Sequence, residues 1–292
     1  MTDAPGSVSR WVLAARPRTL PAAVVPVGVG ATLMWPQSID WINSMLCAVI
    51  ALALQIGTNY ANDYSDGVRG TDEVRVGPFR LTASKLVPST HVRNAALAWF
   101  FLGSVAGLVL ATRSSWWIVL VGATAVLAGW FYTGGPKPYG YFGFGEFFVF
   151  IYFGLVATVG TAYVQHETVP HRAWWLGMAT GFMACALLEA NNLRDVEGDR
   201  SAGKKTLAAR LGRRRASWLY AICVAGVVVA CTGAGQLAVG LVAIVVYLAP
   251  LRFAFSEREG RALLPLLKLS ARAQLALGVL LAVLLASNNY WG

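Results

Sequence analysis

Charge is what this sequence has least of. Only 13% of its 292 residues are charged and 57% are hydrophobic, with mean hydropathy +0.56. A soluble domain carries roughly 25% charged residues, so this balance excludes an ordinary soluble globular fold. Cysteine is also scarce: Cys47, Cys185, Cys223 and Cys231 lie scattered in apolar runs. They lack the paired spacing of a zinc or disulfide framework and read as small packing residues. His91, His166 and His171 are spread over loops on different sides of the membrane, and no histidine metal triad or catalytic dyad is implied. There is no G-x-x-x-x-G-K-[ST] loop, so an ATP-driven activity has no support. The N-terminal "MTDAPGSVSR" has an acidic start, and the first apolar run is studded with prolines; no signal peptide is expected.

What is there is apolar runs. A spanning helix needs about 20 apolar residues. Nine runs of that kind lie near 20–36, 42–62, 94–112, 115–132, 146–165, 174–193, 216–234, 236–255 and 272–290. No linker or low-complexity stretch separates them, so residues 1–292 are expected to form one all-α domain, a polytopic membrane bundle. The net charge of +10 would ordinarily raise nucleic acid as a partner. Its placement points to a lipid bilayer instead. With nine spans, all 24 Lys and Arg residues except Arg113 and Arg172 fall on one side. The positive-inside rule makes that side cytoplasmic, with the N-terminus on it, in the plasma membrane of a bacterial cell. No feature of the chain reports its oligomeric state.

Two stretches break the apolar pattern: "NYANDYSDGVRGTD" (Asn59 to Asp72) and "EANNLRDVEGDR" (Glu189 to Arg200). They follow the second and sixth runs, four helices apart, as in two weakly related halves. Residues three or four apart share a helix face. Gln55, Asn59, Asn62 or Asp63, and Asp66 therefore form one polar stripe, and Asn191, Asp195 and Asp199 the other. Half of the 14 acidic residues fall in these patches: Asp63, Asp66, Asp72, Glu73, Asp195, Glu197 and Asp199. Ordinary loop charges would explain Glu73 and Glu197. They do not explain Gln55, Asn59, Glu189 and Asn192, which lie inside the apolar runs, where polar groups usually face a cavity or a partner. Clustered carboxylates repel unless a cation joins them. Mg2+ fits, because it is held by one or two carboxylates plus substrate phosphates.

Basic residues flank both patches: Arg69, Arg80 and Lys85 after the first, Lys204 and Lys205 after the second, and Arg16 and Arg18 before the first run. Carboxylate-bound metal beside Lys and Arg is what a diphosphate requires, although each of these residues also serves membrane orientation. A third segment, "FYTGGPKPYGYFGFGE" (Phe131 to Glu146), is a Gly- and Pro-rich turn region. Tyr132, Lys137, Tyr139 and Tyr141 there are candidates for substrate contact or for interface anchoring, and Glu146 for a helix cap.

"NDYSDGVRGTD" and "NNLRDVEGDRSAGKKTLAARLG" resemble the two Asp-rich signatures of the UbiA-type intramembrane prenyltransferases. Asn62 and Asp66 match the first signature, and Asp72 is reached through two extra residues. That longer spacing, "ARPRTLPAAVVPV", "VGPFRLTASKLV" and "YTGGPKPYGYFGFGE" are similar to the menaquinone branch of the family. The resemblance runs from about Arg16 to Gly212. It implies nine helices around a central cavity open sideways to lipid, with a magnesium-bound polyprenyl diphosphate at the cytoplasmic end. By position it carries metal binding to Asn62, Asp66, Asp72, Asp195 and Asp199. Asp63 points about 100° away from Asn62. The implied reaction joins a polyprenyl chain to 1,4-dihydroxy-2-naphthoate with loss of CO2. Substrate contacts are expected from Asn59, Asp63, Arg69, Arg80, Lys85, Tyr132, Lys137 and Lys204, and ring contact from Glu189 and Asn192. Sister enzymes of the family use 4-hydroxybenzoate, homogentisate or a haem. A cation-coupled transporter is a different reading, but it would place its acids near the bilayer middle.

Overall fold

The computed structural model describes residues 6–33, 39–71 and 79–288, and every regular element among them is helical. Helix α3 (Trp41–Val68) starts where the Asp40 carboxylate accepts a hydrogen bond from Asn43 N at 3.0 Å, an N-cap of the usual kind. Its 28 residues span about 42 Å at 1.5 Å each, longer than the roughly 30 Å hydrocarbon core. The extra turns carry Asn59, Asn62, Asp63 and Asp66. Helix α8 (His171–Ser201) is built the same way, with 31 residues. Both helices continue past the apolar runs, which end near 62 and 193. The acidic stretches are thus largely final helical turns rather than loops, held on because their polar side chains find partners at that level.

Helix α8 is the axis of the bundle. In its most apolar stretch 72% of residues are buried, against 28% in α3. It packs against α2 (Pro21–Thr32), α7 (Ala157–His166), α10 (Arg213–Gly233) and α12 (Leu264–Asn288). It also packs against a π-helical segment, Phe150–Val156, which joins α6 (Gly145–Val149) to α7. That last contact is backbone on backbone: a Cβ on Gly154 would lie 2.5 Å from Gly181 Cα and 2.6 Å from Gly177 O. Small residues permit this approach, as is usual between helices in lipid.

Around this core stand α4 (Ser89–Arg113), α5 (Trp117–Phe131) and α11 (Leu237–Ala254), which carry bare apolar side chains such as Phe101 and Leu120. In water such faces would be a liability; on a multi-pass membrane protein they face lipid. Among the described residues seven helical stretches are long and apolar enough to cross a membrane. Helices α2, with 12 residues, and α5, with 15, are apolar but shorter, about 18 and 22 Å. Of the nine expected spans, seven are matched by full-length stretches among the described residues, and the other two fall on helices shorter than a span. Prolines and glycines bound the two: Pro17 lies in the turn before α2 and Pro21 is its first residue, and the "TGGP" turn follows α5.

At the end of the bundle opposite the acidic turns, Arg113 binds Asp40 Oδ2 at 2.8 Å and donates from Nε to Asn43 Oδ1 at 2.7 Å. Asn43 Nδ2 donates to Val164 O at 2.7 Å, and Asp40 N to Gln165 Oε1 at 2.9 Å. This clamp ties α3, α4 and α7 together, so the charges at this end are spent on one another.

Candidate active site

Between α2, α3, α5 and α8 lies a cavity of about 480 Å3. Asp66, Arg80, Asp199 and Lys204 line one end, and Cys47, Ile50, Ala51 and Val164 line the stretch toward the opposite clamp. It has a charged mouth and an apolar barrel, the shape that suits an amphiphile with an anionic head.

Asp66 is the node of the charged end, buried at 2% exposure. Lys204 Nζ lies 3.0 Å from its Oδ2, and Arg80 Nη2 lies 3.5 Å from the same oxygen. The Tyr141 hydroxyl donates to Oδ1 at 2.6 Å, and Lys204 also sits 4.8 Å above the Tyr141 ring. Burial, then the Asp66 charge, push the Tyr141 hydroxyl well above its ordinary pKa, so it remains a donor. Lys204 joins the two patches, because its backbone N donates to Asp199 O at 2.8 Å while its ammonium reaches Asp66. Asp199 Oδ2 accepts from Thr206 Oγ1 at 3.2 Å.

The remaining expected residues divide. Asn62 lines the cavity and accepts from Thr133 Oγ1 at 2.7 Å. Asn59 also lines it, and its Nδ2 donates to Ala15 O at 2.9 Å. That bond fixes the turn carrying Arg16, a cavity residue with φ +55. Tyr132 and Asn192 are on the wall too. Asp63 is turned away: its two oxygens accept from Leu81 N and Thr82 N at 2.8 and 2.9 Å. It organises the loop after α3 rather than touching a substrate. Arg69 is held by the carbonyls of Thr133 and Gly135 and lies 5.5 Å over Tyr141, so it tethers a loop. Lys137 is exposed, and neither it nor Lys85 lines the cavity. Asp195 forms a two-bond pair with Arg194, 2.7 Å in each arm, off the cavity wall. Glu189 is fully buried behind the wall. Asp72 lies outside the described residues.

Sequence reasoning named Tyr141 only as one of several tyrosines, and it passed over Thr133 and Arg194. Their signal was position beside a motif, which does not reveal direction. Glu146 was read as a helix cap. It sits in the first turn of α6 but caps nothing; its Oε1 accepts from Asn192 Nδ2 at 2.9 Å.

Among the described residues no three acidic, histidine or cysteine side chains gather closely enough to hold a metal by themselves. Asp66 and Asp199, from two helices facing one cavity, still match a magnesium site in which phosphate oxygens supply much of the coordination.

Fold and site together define a membrane helical bundle around one cavity with a charged mouth and an apolar barrel. Residues 23–262 match the UbiA prenyltransferase family, and the chain belongs to that family. It is 46% identical over 290 residues to the 1,4-dihydroxy-2-naphthoate octaprenyltransferase of Mycobacterium tuberculosis, covering 96% of this chain and 98% of that one. To the Escherichia coli protein of the same description it is 34% identical, covering 74% and 73%. Among solved structures it resembles a UbiA homolog from Archaeoglobus fulgidus bound to DMAPP and Mg2+. The TM-score is 0.64 at 17% identity, covering 94% of this chain and 99% of that one.

Proposed function

We infer that this protein transfers a polyprenyl chain from its diphosphate to 1,4-dihydroxy-2-naphthoate, releasing diphosphate and CO2 and forming the demethylmenaquinone skeleton. The observation that carries this is the cavity: acidic and basic groups converge at one end of a barrel apolar enough for a prenyl chain. The 46% identical relative supports the naphthoate as acceptor.

In this reading residues 1–292 form one domain, with the charged mouth at the cytoplasmic face. Asn62, Asp66 and Asp199 would hold magnesium with the diphosphate, and Asp72 and Asp195 are the remaining carboxylates of the two signatures. The metal, when bound, neutralises charge on the diphosphate oxygens. Lys204 and Arg80 share the charge that grows on the leaving group. Tyr141 holds Asp66 in place, and Asn59 holds the turn that brings Arg16 to the wall. The packed helices keep water from the allylic cation, so ring carbon captures it. The new bond forms at the carbon that bears the carboxylate, which then departs as CO2.

The test is a mass balance in nanodiscs with polyprenyl diphosphate, magnesium and carboxyl-labelled 1,4-dihydroxy-2-naphthoate. Parallel tubes receive 4-hydroxybenzoate, homogentisate or EDTA. Labelled CO2 and a prenylated naphthoquinol, both abolished by EDTA, are expected. Product from 4-hydroxybenzoate or homogentisate alone would overturn the acceptor. No diphosphate binding at all would return the acids to a transport role.

A further inference from the structure

The Asn192 side chain is held from behind. It stands on the cavity wall, and its Nδ2 donates to Glu146 Oε1 at 2.9 Å and toward Glu189 Oε1 at 3.4 Å. Glu146 comes from α6 and Glu189 from α8, one turn below Asn192. The two carboxyl groups also touch each other. Their Oε2 atoms are buried and find no amide or hydroxyl donor among the described residues. Two acids at this depth are costly to retain and point to a task.

An amide nitrogen carries two hydrogens and no lone pair for bonding. Both hydrogens of Asn192 are directed at carboxyl oxygens. With any carboxyl proton held between the two glutamates, a flipped amide would set its own oxygen against acceptor oxygens, which favours this orientation. Oδ1 makes no hydrogen bond among the described residues and is left for the cavity. Asn192 is seven residues deeper along α8 than Asp199, about 10 Å. Tyr132, Phe148, Tyr152 and Leu188 line the same cavity, so the lining there offers faces for a flat ring. The level is one ring length below the charged mouth, where the acceptor must meet the first carbon of the prenyl chain.

We propose that Glu146 and Glu189 are positioning residues that lock the Asn192 amide so that its Oδ1 accepts a hydrogen bond from a ring hydroxyl of the aromatic acceptor. The proposal rests on the transfer reaction inferred above and names the contact that selects a hydroxylated ring. Glu189 then acts through Asn192 rather than by touching the ring.

Acceptor binding is measured by calorimetry in nanodiscs with 1,4-dihydroxy-2-naphthoate, its two monohydroxy analogues and 2-naphthoate, each with wild type and Asn192→Ala. Losing one hydrogen bond should weaken the dihydroxy compound about tenfold in Asn192→Ala. One monohydroxy analogue should bind wild type weaker by a similar factor and be indifferent to the substitution. Glu146→Ala should raise the acceptor KM with little change in kcat, and Glu146→Gln, which keeps an acceptor oxygen, should restore most of it. Equal losses for every ring, or a parallel loss of polyprenyl diphosphate affinity, would overturn the proposal while leaving the reaction intact. A wild type that binds diphosphate but no naphthoate would overturn both. Thermal melts of each variant confirm that binding is read on folded protein.

Discussion

The two acidic patches look alike as strings and behave differently as structure. On α3, Asp66 is met by groups from elsewhere in the chain, Lys204, Arg80 and Tyr141. Its near neighbour Asp63 faces the other way and binds the loop backbone. On α8, Asp195 is engaged by the adjacent Arg194, while Asp199 faces the cavity. Among the described residues each patch thus contributes one carboxylate, Asp66 or Asp199, to the cavity mouth and keeps another, Asp63 or Asp195, for its own framework. A repeated motif does not by itself say which of its acids faces the cavity; what passes beside each helix decides that.

The contrast can be broken at several points. Asp66→Asn carries the largest expected effect, because it weakens the shared partner of two cations at the mouth. Transfer should fall by about a thousandfold, the scale of removing a charge-stabilising group at a reacting centre. Single-turnover product formation on protein with an unchanged melt checks this, and activity within tenfold of wild type would contradict the assignment.

Arg194→Met tests the framework acid of the second patch. Arg194 and Asp195 are 5% and 6% exposed, and breaking a buried pair of this kind costs about 3 kcal/mol. A lower denaturation midpoint in detergent is expected, with magnesium dependence retained by the folded fraction. A shifted magnesium requirement at full stability would instead move Asp195 to the metal.

Asp63→Asn should be milder, about 1 to 2 kcal/mol for a disturbed pair of buried hydrogen bonds. Limited proteolysis after α3 would detect the loosened loop, and the magnesium concentration for half activity should stay put. A change there would restore Asp63 to the site.

The smallest effect belongs to the opposite end. The Asn43 backbone bond, then Arg113, hold Asp40 below the usual carboxylate range. A lowered folded pKa contributes stability that is present above the unfolded value and lost as pH falls through the folded one. The melting difference between wild type and Asp40→Asn should therefore persist at neutral pH and fade below about pH 4. Asp40 and Arg113 are each a third exposed, so the difference is expected to be small. A difference that instead grows in acid would refute the clamp.

Much of the bundle was legible because hydropathy and charge asymmetry act over whole helices. The stripe from Gln55 to Asp66 was equally readable, since helical spacing is regular. The roles of Asp63, Arg69 and Lys85 were not, because each depends on the loops that pack beside or follow the end of α3, and loops have no period. Glu146 was misread for a related reason: an acid in a first turn is a common cap, and nothing local announces Asn192, 46 residues away.

By itself the sequence determined that this chain lives in a bilayer and that two of its helices end in carboxylates. Those follow from solvation, which each segment meets on its own. Only the tertiary structure decided that Lys204 reaches across to Asp66 and that Glu146 joins Glu189 behind Asn192. Such contacts join α3 to the loop after α8, or α6 to α8, and become defined only when helices far apart in the chain close around one cavity.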